Sequence, residues 1–160
     1  MSQIDEHLKW CLKDPKRLIK KKPDLDLAQK HIKKSEYNYG VVQTLEKLKI
    51  YDWAFNVEFY AIYHCFLAIL AKYGYESRNQ ACTITVLLSL INEKKLDLDK
   101  DLVIQFDSLD VEKNITNTTV RERREISTYG VETSIDLQQF KKIKELILRL
   151  QRETIRVLAE

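Results

Sequence analysis

The sequence predicts an all-α fold, a helical bundle with a short N-terminal helix, and three observations carry that prediction. Three glycines and two prolines in 160 residues leave little material for hairpins or tight βα turns. Leu, Ile, Lys and Glu dominate instead, as in chains built from helices. The stretch Asp52–Tyr75, DWAFNVEFYAIYHCFLAILAKYGY, sets Trp53, Val57, Tyr60, Ala61, Phe66, Leu67 and Leu70 at steps of three and four. Apolar residues on nearly all its sides mark a central helix covered all round. Its uncharged core, Tyr60 to Ala71, is shorter than the roughly 20 apolar residues that cross a bilayer. A chain of this length makes one domain of ordinary size with a real core.

The elements follow in order. Residues Ser2 to about Lys13 form a short helix with Ser2 as cap, Asp5 and Glu6 in the first turn, and Ile4, Leu8, Cys11 and Leu12 on the apolar side. KDPKRLIKKKP, Lys13–Pro23, reads as a basic connector bracketed by prolines, able to contact phosphate or simply solvated. Asp24 caps a second helix to about Lys49, with Leu27, Ile32, Val41, Leu45 and Leu48 apolar and Gly40 admitting a close neighbour. After a break near Ile50–Tyr51 comes the central helix, ended by Gly74 in a left-handed cap.

Ser77 is the expected cap of the next helix, Arg78 to about Lys94. Its β-branched Thr83–Val86 is read as helix because no partner strand is visible. Asp97, Asp99 and Asp101 resemble the start of a calcium loop, but Leu102 stands where glycine is needed and Ser108 where glutamate is, so this is a capped helix start. Leu102 to Thr119 is weakly patterned, with one or two short helices and a loop at NITNTT. Asp136 to about Leu158 is a long amphipathic helix whose stripe is Leu137, Phe140, Ile143, Ile147, Leu150 and Leu158.

Composition excludes little and motifs exclude more. The net charge of +3 does not by itself imply a nucleic-acid partner. MSQIDEHLKW lacks the basic and apolar regions of a signal peptide, so a cytoplasmic protein is expected. Cys11, Cys65 and Cys82 are then read as reduced thiols, and the triplets at Asn114 and Asn117 carry no glycosylation meaning. There is no phosphate-binding Gly-rich loop, H-E-x-x-H, C-x-x-C or nucleophile elbow, so no cofactor is expected. His7 with Cys11, and His64 beside Cys65, fall short of the three convergent ligands zinc needs, so no metal is expected. His64 reads as a neutral core histidine; a general base or phosphate contact is the functional alternative.

Val120–Gly130, VRERREISTYG, is the segment with chemistry. On a helix Arg121 and Arg124 share a face and can hold one phosphodiester through their forked donors. Tyr129, five residues on, can donate a hydrogen bond or stack on a base. The plain alternative is a solvated face in which Glu122 and Glu125 pair with the arginines.

FNVEFYAIYHCFLAILAKYGYESRNQA, followed by RREISTYGVE and the long C-terminal helix, resembles the HEPN (higher eukaryotes and prokaryotes nucleotide-binding) superfamily. HLKWCLKDPKRLIKKKP is similar to what precedes this domain in archaeal members. The resemblance divides the chain into residues 1–23, an N-terminal helix and basic connector, and residues 24–160, a HEPN-like bundle. It implies an up-and-down bundle that pairs into a homodimer. Many members are metal-independent ribonucleases, often toxins paired with a nucleotidyltransferase antitoxin, whose R-x(4–6)-H motifs from both subunits line one cleft. Arg124 matches the motif arginine, with Arg121 assisting, and Tyr129 stands at the histidine position.

The resemblance therefore implies RNA or nucleotide binding at Arg121, Arg124 and Tyr129, with weak metal-independent ribonuclease activity by Arg124 and Tyr129. A tyrosine phenol, unlike a histidine imidazole, is a poor general base at neutral pH. The alternative reading is a non-catalytic interaction subunit that partners a nucleotidyltransferase or another protein.

Overall fold

The computed structural model describes residues 2–106, 119–131 and 136–160. Among them seven helices and two short strands run in the order α1 (Gln3–Leu12), β1 (Leu18–Lys20), α2 (Leu25–Lys47), α3 (Tyr51–Tyr73), β2 (Tyr75–Ser77), α4 (Gln80–Asn92), α5 (Lys100–Phe106), α6 (Val120–Tyr129) and α7 (Leu137–Ala159). The all-α helical bundle expected from the sequence is what forms. Ser108 and all of NITNTT but Thr119, with Asn114 and Asn117, lie outside the described residues.

Local chemistry sets most helix ends. Ser2 and Asp5 form a reciprocal capping box on α1, and the Asp24 and Asp136 carboxylates accept the backbone N–H of Leu27 and Gln139. The Asp99 carboxylate accepts from Asp101 at the start of α5. Gly74 ends α3 at φ 82°, and a Cβ there would meet the Lys21 carbonyl oxygen at 2.5 Å. Gly40 differs from expectation: nothing lies within 4 Å of a Cβ built there, so it admits no close neighbour.

The basic connector is not all coil. Leu18–Lys20 pairs antiparallel with Tyr75–Ser77, Ile19 opposite Glu76, and the Lys21 Nζ–Glu76 pair at 3.0 Å extends the join. This ribbon corrects the Ser77 cap, because Ser77 is held in β2. The chain turns into α4 two residues later at Asn79, whose amide oxygen accepts from the Cys82 N–H.

α3 is the centre, with α2, α4, α6, α7 and β2 packed around it. Phe59 and Phe66 meet Phe106 of α5 at 4.8 and 5.1 Å between centroids, and Phe55 meets Phe140 of α7 at 5.4 Å. Where α2, α3 and α7 meet, the buried Ser35 hydroxyl donates to the Ala61 carbonyl at 2.6 Å and accepts from the Gln151 amide at 3.0 Å. Lys72 of α3 donates to the carbonyls of Val157 and Glu160 at the end of α7.

Two expectations for α3 are corrected. Its 23 residues are long and apolar enough on average to cross a membrane, since Trp53, Ala54, Phe55, Val57 and Phe59 add to the uncharged core; 67% of the most apolar window is buried inside the fold. It is also not covered all round, because Trp53 and Tyr60 are 56% and 40% exposed. The cysteines need a third correction. Cys11 and Cys82, 71 residues apart, form a disulfide that ties α1 to α4, and only Cys65 is a free thiol. Their Cα atoms are 5.8 Å apart because α1 folds back along α4, which spacing in the chain does not reveal.

Candidate functional site

α6 owes its position to one buried anchor and one cap. Val120 enters the core, and the Thr119 hydroxyl accepts from the Glu122 N–H while donating to the Glu122 carboxylate. The helix then crosses α3, where the Thr128 hydroxyl donates to the Asn56 amide oxygen at 3.3 Å. This seating lays two guanidinium groups on aromatic rings of α3. Arg123 sits over Phe55 with its Cζ 4.8 Å from the ring centroid, and Arg124 sits over Phe59 at 4.5 Å.

Both rings are fully buried and one helical turn apart, so α3 offers a rigid double platform. A cation over a ring face is held by the ring's negative quadrupole, worth about 1 kcal/mol or more when partly desolvated. The Nε atoms of Arg123 and Arg124 are buried without a hydrogen-bond partner, and neither guanidinium is ion-paired to another described residue. Arg124 is thus not neutralised by Glu122 or Glu125, as the solvated-face reading requires. A planar guanidinium held by its face keeps its terminal N–H groups for an anion such as phosphate.

The expected site residues do not all converge. Arg121 and Arg124 stand three residues apart on α6, as the spacing predicts. Tyr129, the last residue of the helix, is 79% exposed and lies roughly 140° around the helix from Arg124. His64 serves another contact: its Nδ1 is 3.0 Å from Nδ1 of His31 on α2, so one ring donates and the other accepts. Burial first, then His31 and Lys34, pushes the His64 pKa down to about 4, which keeps the ring neutral. It faces α2, roughly 140° around α3 from Phe59, and is not brought to Arg124.

Arg123 counts in the sequence as one of three clustered arginines but is given no role there, and Asn56, Phe55 and Phe59 are not singled out. The available signal was the pair Phe55 and Phe59 at helical spacing, but their use depends on which helix crosses them. Among the described residues, no three His, Cys, Asp or Glu side chains cluster as a metal site would require. Comparison with known proteins finds no matching family model and no matching curated protein.

Proposed function

We propose that this protein binds RNA or a nucleotide through phosphate held at the Arg121–Arg124 face of α6, as a homodimer working in the cytoplasm. The observation that carries the reading is the seating of Arg123 and Arg124 on Phe55 and Phe59 without a described carboxylate partner. The HEPN-like pattern supplies the substrate class; in that reading Arg121 and Arg124 form the binding surface, and Tyr129, the motif's other position, lies roughly 140° around α6 from Arg124. Arg124 would stabilise charge developing on a pentacovalent phosphate, which permits weak metal-independent cleavage by a toxin-like ribonuclease. With Tyr129 in place of a histidine, the base needed to take the 2′-hydroxyl proton is poor, so binding outweighs cleavage.

The test is fluorescence anisotropy with a labelled single-stranded RNA, alongside a cleavage assay in EDTA. Arg124→Ala is expected to weaken binding by about tenfold or more, the worth of a charged hydrogen bond, and to abolish any cleavage. Equal RNA affinity in the native and Arg124→Ala proteins would remove the nucleic-acid reading. The second reading, a non-catalytic subunit for a nucleotidyltransferase or other protein, is favoured by the exposed Trp53, Tyr60 and Ile126 on α3 and α6. Co-purification of such a partner, lost in Trp53→Ser, would support it.

A further inference from the structure

We infer that the Cys11–Cys82 disulfide is a thiol–disulfide modification site that a dithiol reductant opens, releasing α1 from α4. Two features of the surroundings favour the reduced form. Cys82 is the third residue of α4, its N–H capped by the Asn79 amide oxygen, where the positive end of the helix dipole stabilises a thiolate. Cys11 Sγ is 3.8 Å from His7 Nδ1. Thr85 Oγ1 lies 2.6 Å from His7 Nδ1 and 2.9 Å from the Ala81 carbonyl; in the tautomer with its proton on Nδ1, His7 donates to Thr85 and can turn that N–H to a thiolate at Cys11.

A disulfide whose two product thiolates are both stabilised is easier to reduce than one in neutral surroundings. Both sulfurs are buried, so a reagent reaches them only when α1 lifts. α1 is suited to lifting. Cys11 is its one fully buried residue, Ile4 and Leu8 are only partly buried, and helices with little buried surface open at low cost. This rests on the cytoplasmic setting proposed above, where such a bond is more often redox-responsive than permanent.

A thiolate of the dithiol attacks Cys11 Sγ, forming a mixed disulfide as the Cys11–Cys82 bond breaks and its electron pair leaves on Cys82. The second thiol of the reagent, deprotonated, attacks its own sulfur in that mixed disulfide and expels Cys11 as thiolate, which takes the His7 N–H bond. The dithiol leaves as a cyclic or protein disulfide. Two electrons have passed to the protein, and the reagent's two protons are available to its sulfurs.

The test treats the native protein with dithiothreitol without denaturant, then alkylates it for mass spectrometry and measures hydrogen exchange. Cys11 and Cys82 are expected to become alkylated, with protection in α1 falling at least a hundredfold while α3 and α7 stay protected. The Cys11→Ser/Cys82→Ser double variant should show the same open α1 with or without dithiothreitol. His7→Phe, which keeps an aromatic ring against Trp10, should lower the reduced-to-oxidised ratio at fixed dithiol about tenfold. Reduction only after denaturation, α1 still protected once reduced, or simultaneous loss of protection along the whole chain would each overturn the proposal. An unchanged ratio in His7→Phe would remove His7 from it.

Discussion

Glu58 is fully buried in α3, and neither of its carboxylate oxygens has a hydrogen-bond partner among the described residues. Burial pushes its pKa from 4.5 up to about 10; Lys144 pulls it back, and Glu46 adds to the rise. Lys144 is itself committed to Glu46 at 2.6 Å, an ion pair that bridges α7 and α2. At neutral pH the folded protein therefore holds a proton on Glu58 that the unfolded chain has lost. Between those two pKa values the folded state binds more protons, so this residue makes stability fall as pH rises. Each pH unit costs about 1.4 kcal/mol, and from 4.5 to 7 the penalty reaches about 3 kcal/mol.

Glu58→Gln keeps the shape and removes the ionisation. The variant and the native protein should be unfolded in urea at pH 4 and at pH 7. Their stability difference is expected to shift by about 3 kcal/mol in favour of glutamine between the two pH values. Using the shift rather than either difference alone cancels the cost of a buried amide, which is the same at both. A difference that stays within about 1 kcal/mol across that range would mean Glu58 ionises normally in the folded state, and the reasoning from burial would be refuted.

The His64 ring should titrate near pH 4 by NMR, and His31→Ala should raise that value by relieving burial and removing the neighbouring charge. Because the folded value lies below 6.5, the unfolded chain takes up the proton first and stability falls as pH drops from 6.5 towards 4; a native titration near 6.5 would refute this. Gly74→Ala should lower stability by about 1–3 kcal/mol in thermal unfolding, since φ is 82° and the new Cβ meets the Lys21 carbonyl. Gly40→Ala, inside α2 with open space around it, should instead raise stability by about 0.5–1 kcal/mol; a neutral Gly74→Ala would count against the strain argument.

What could be read from the chain alone was local. Caps at Ser2 and Asp24, the start of α7 at Asp136 and the stop at Gly74 depend on a few adjacent residues, so they were legible. The stripe of α7 was too, apart from Leu137, which is exposed in the first turn. Pairings across long separations were not. β1 is three residues of a lysine-rich stretch and is a strand only because β2 lies beside it. Nothing near Cys11 names Cys82, and nothing near His64 names His31. The arginine cluster was visible as composition, but its support came from Phe55 and Phe59, more than sixty positions earlier. Periodicity marked α3 as apolar on most sides and could not say that Trp53 and Tyr60 face outward.

The small polar junction at Ser35 acts as an index mark for the whole assembly. Aliphatic side chains on neighbouring rods interdigitate almost as well after a shift of one turn, about 5.4 Å, so oily contact alone tolerates several alignments. A hydroxyl pledged to one carbonyl and one amide does not, because any slip strands the serine hydroxyl and the glutamine amide together. One serine in a greasy seam is enough to make a single alignment win.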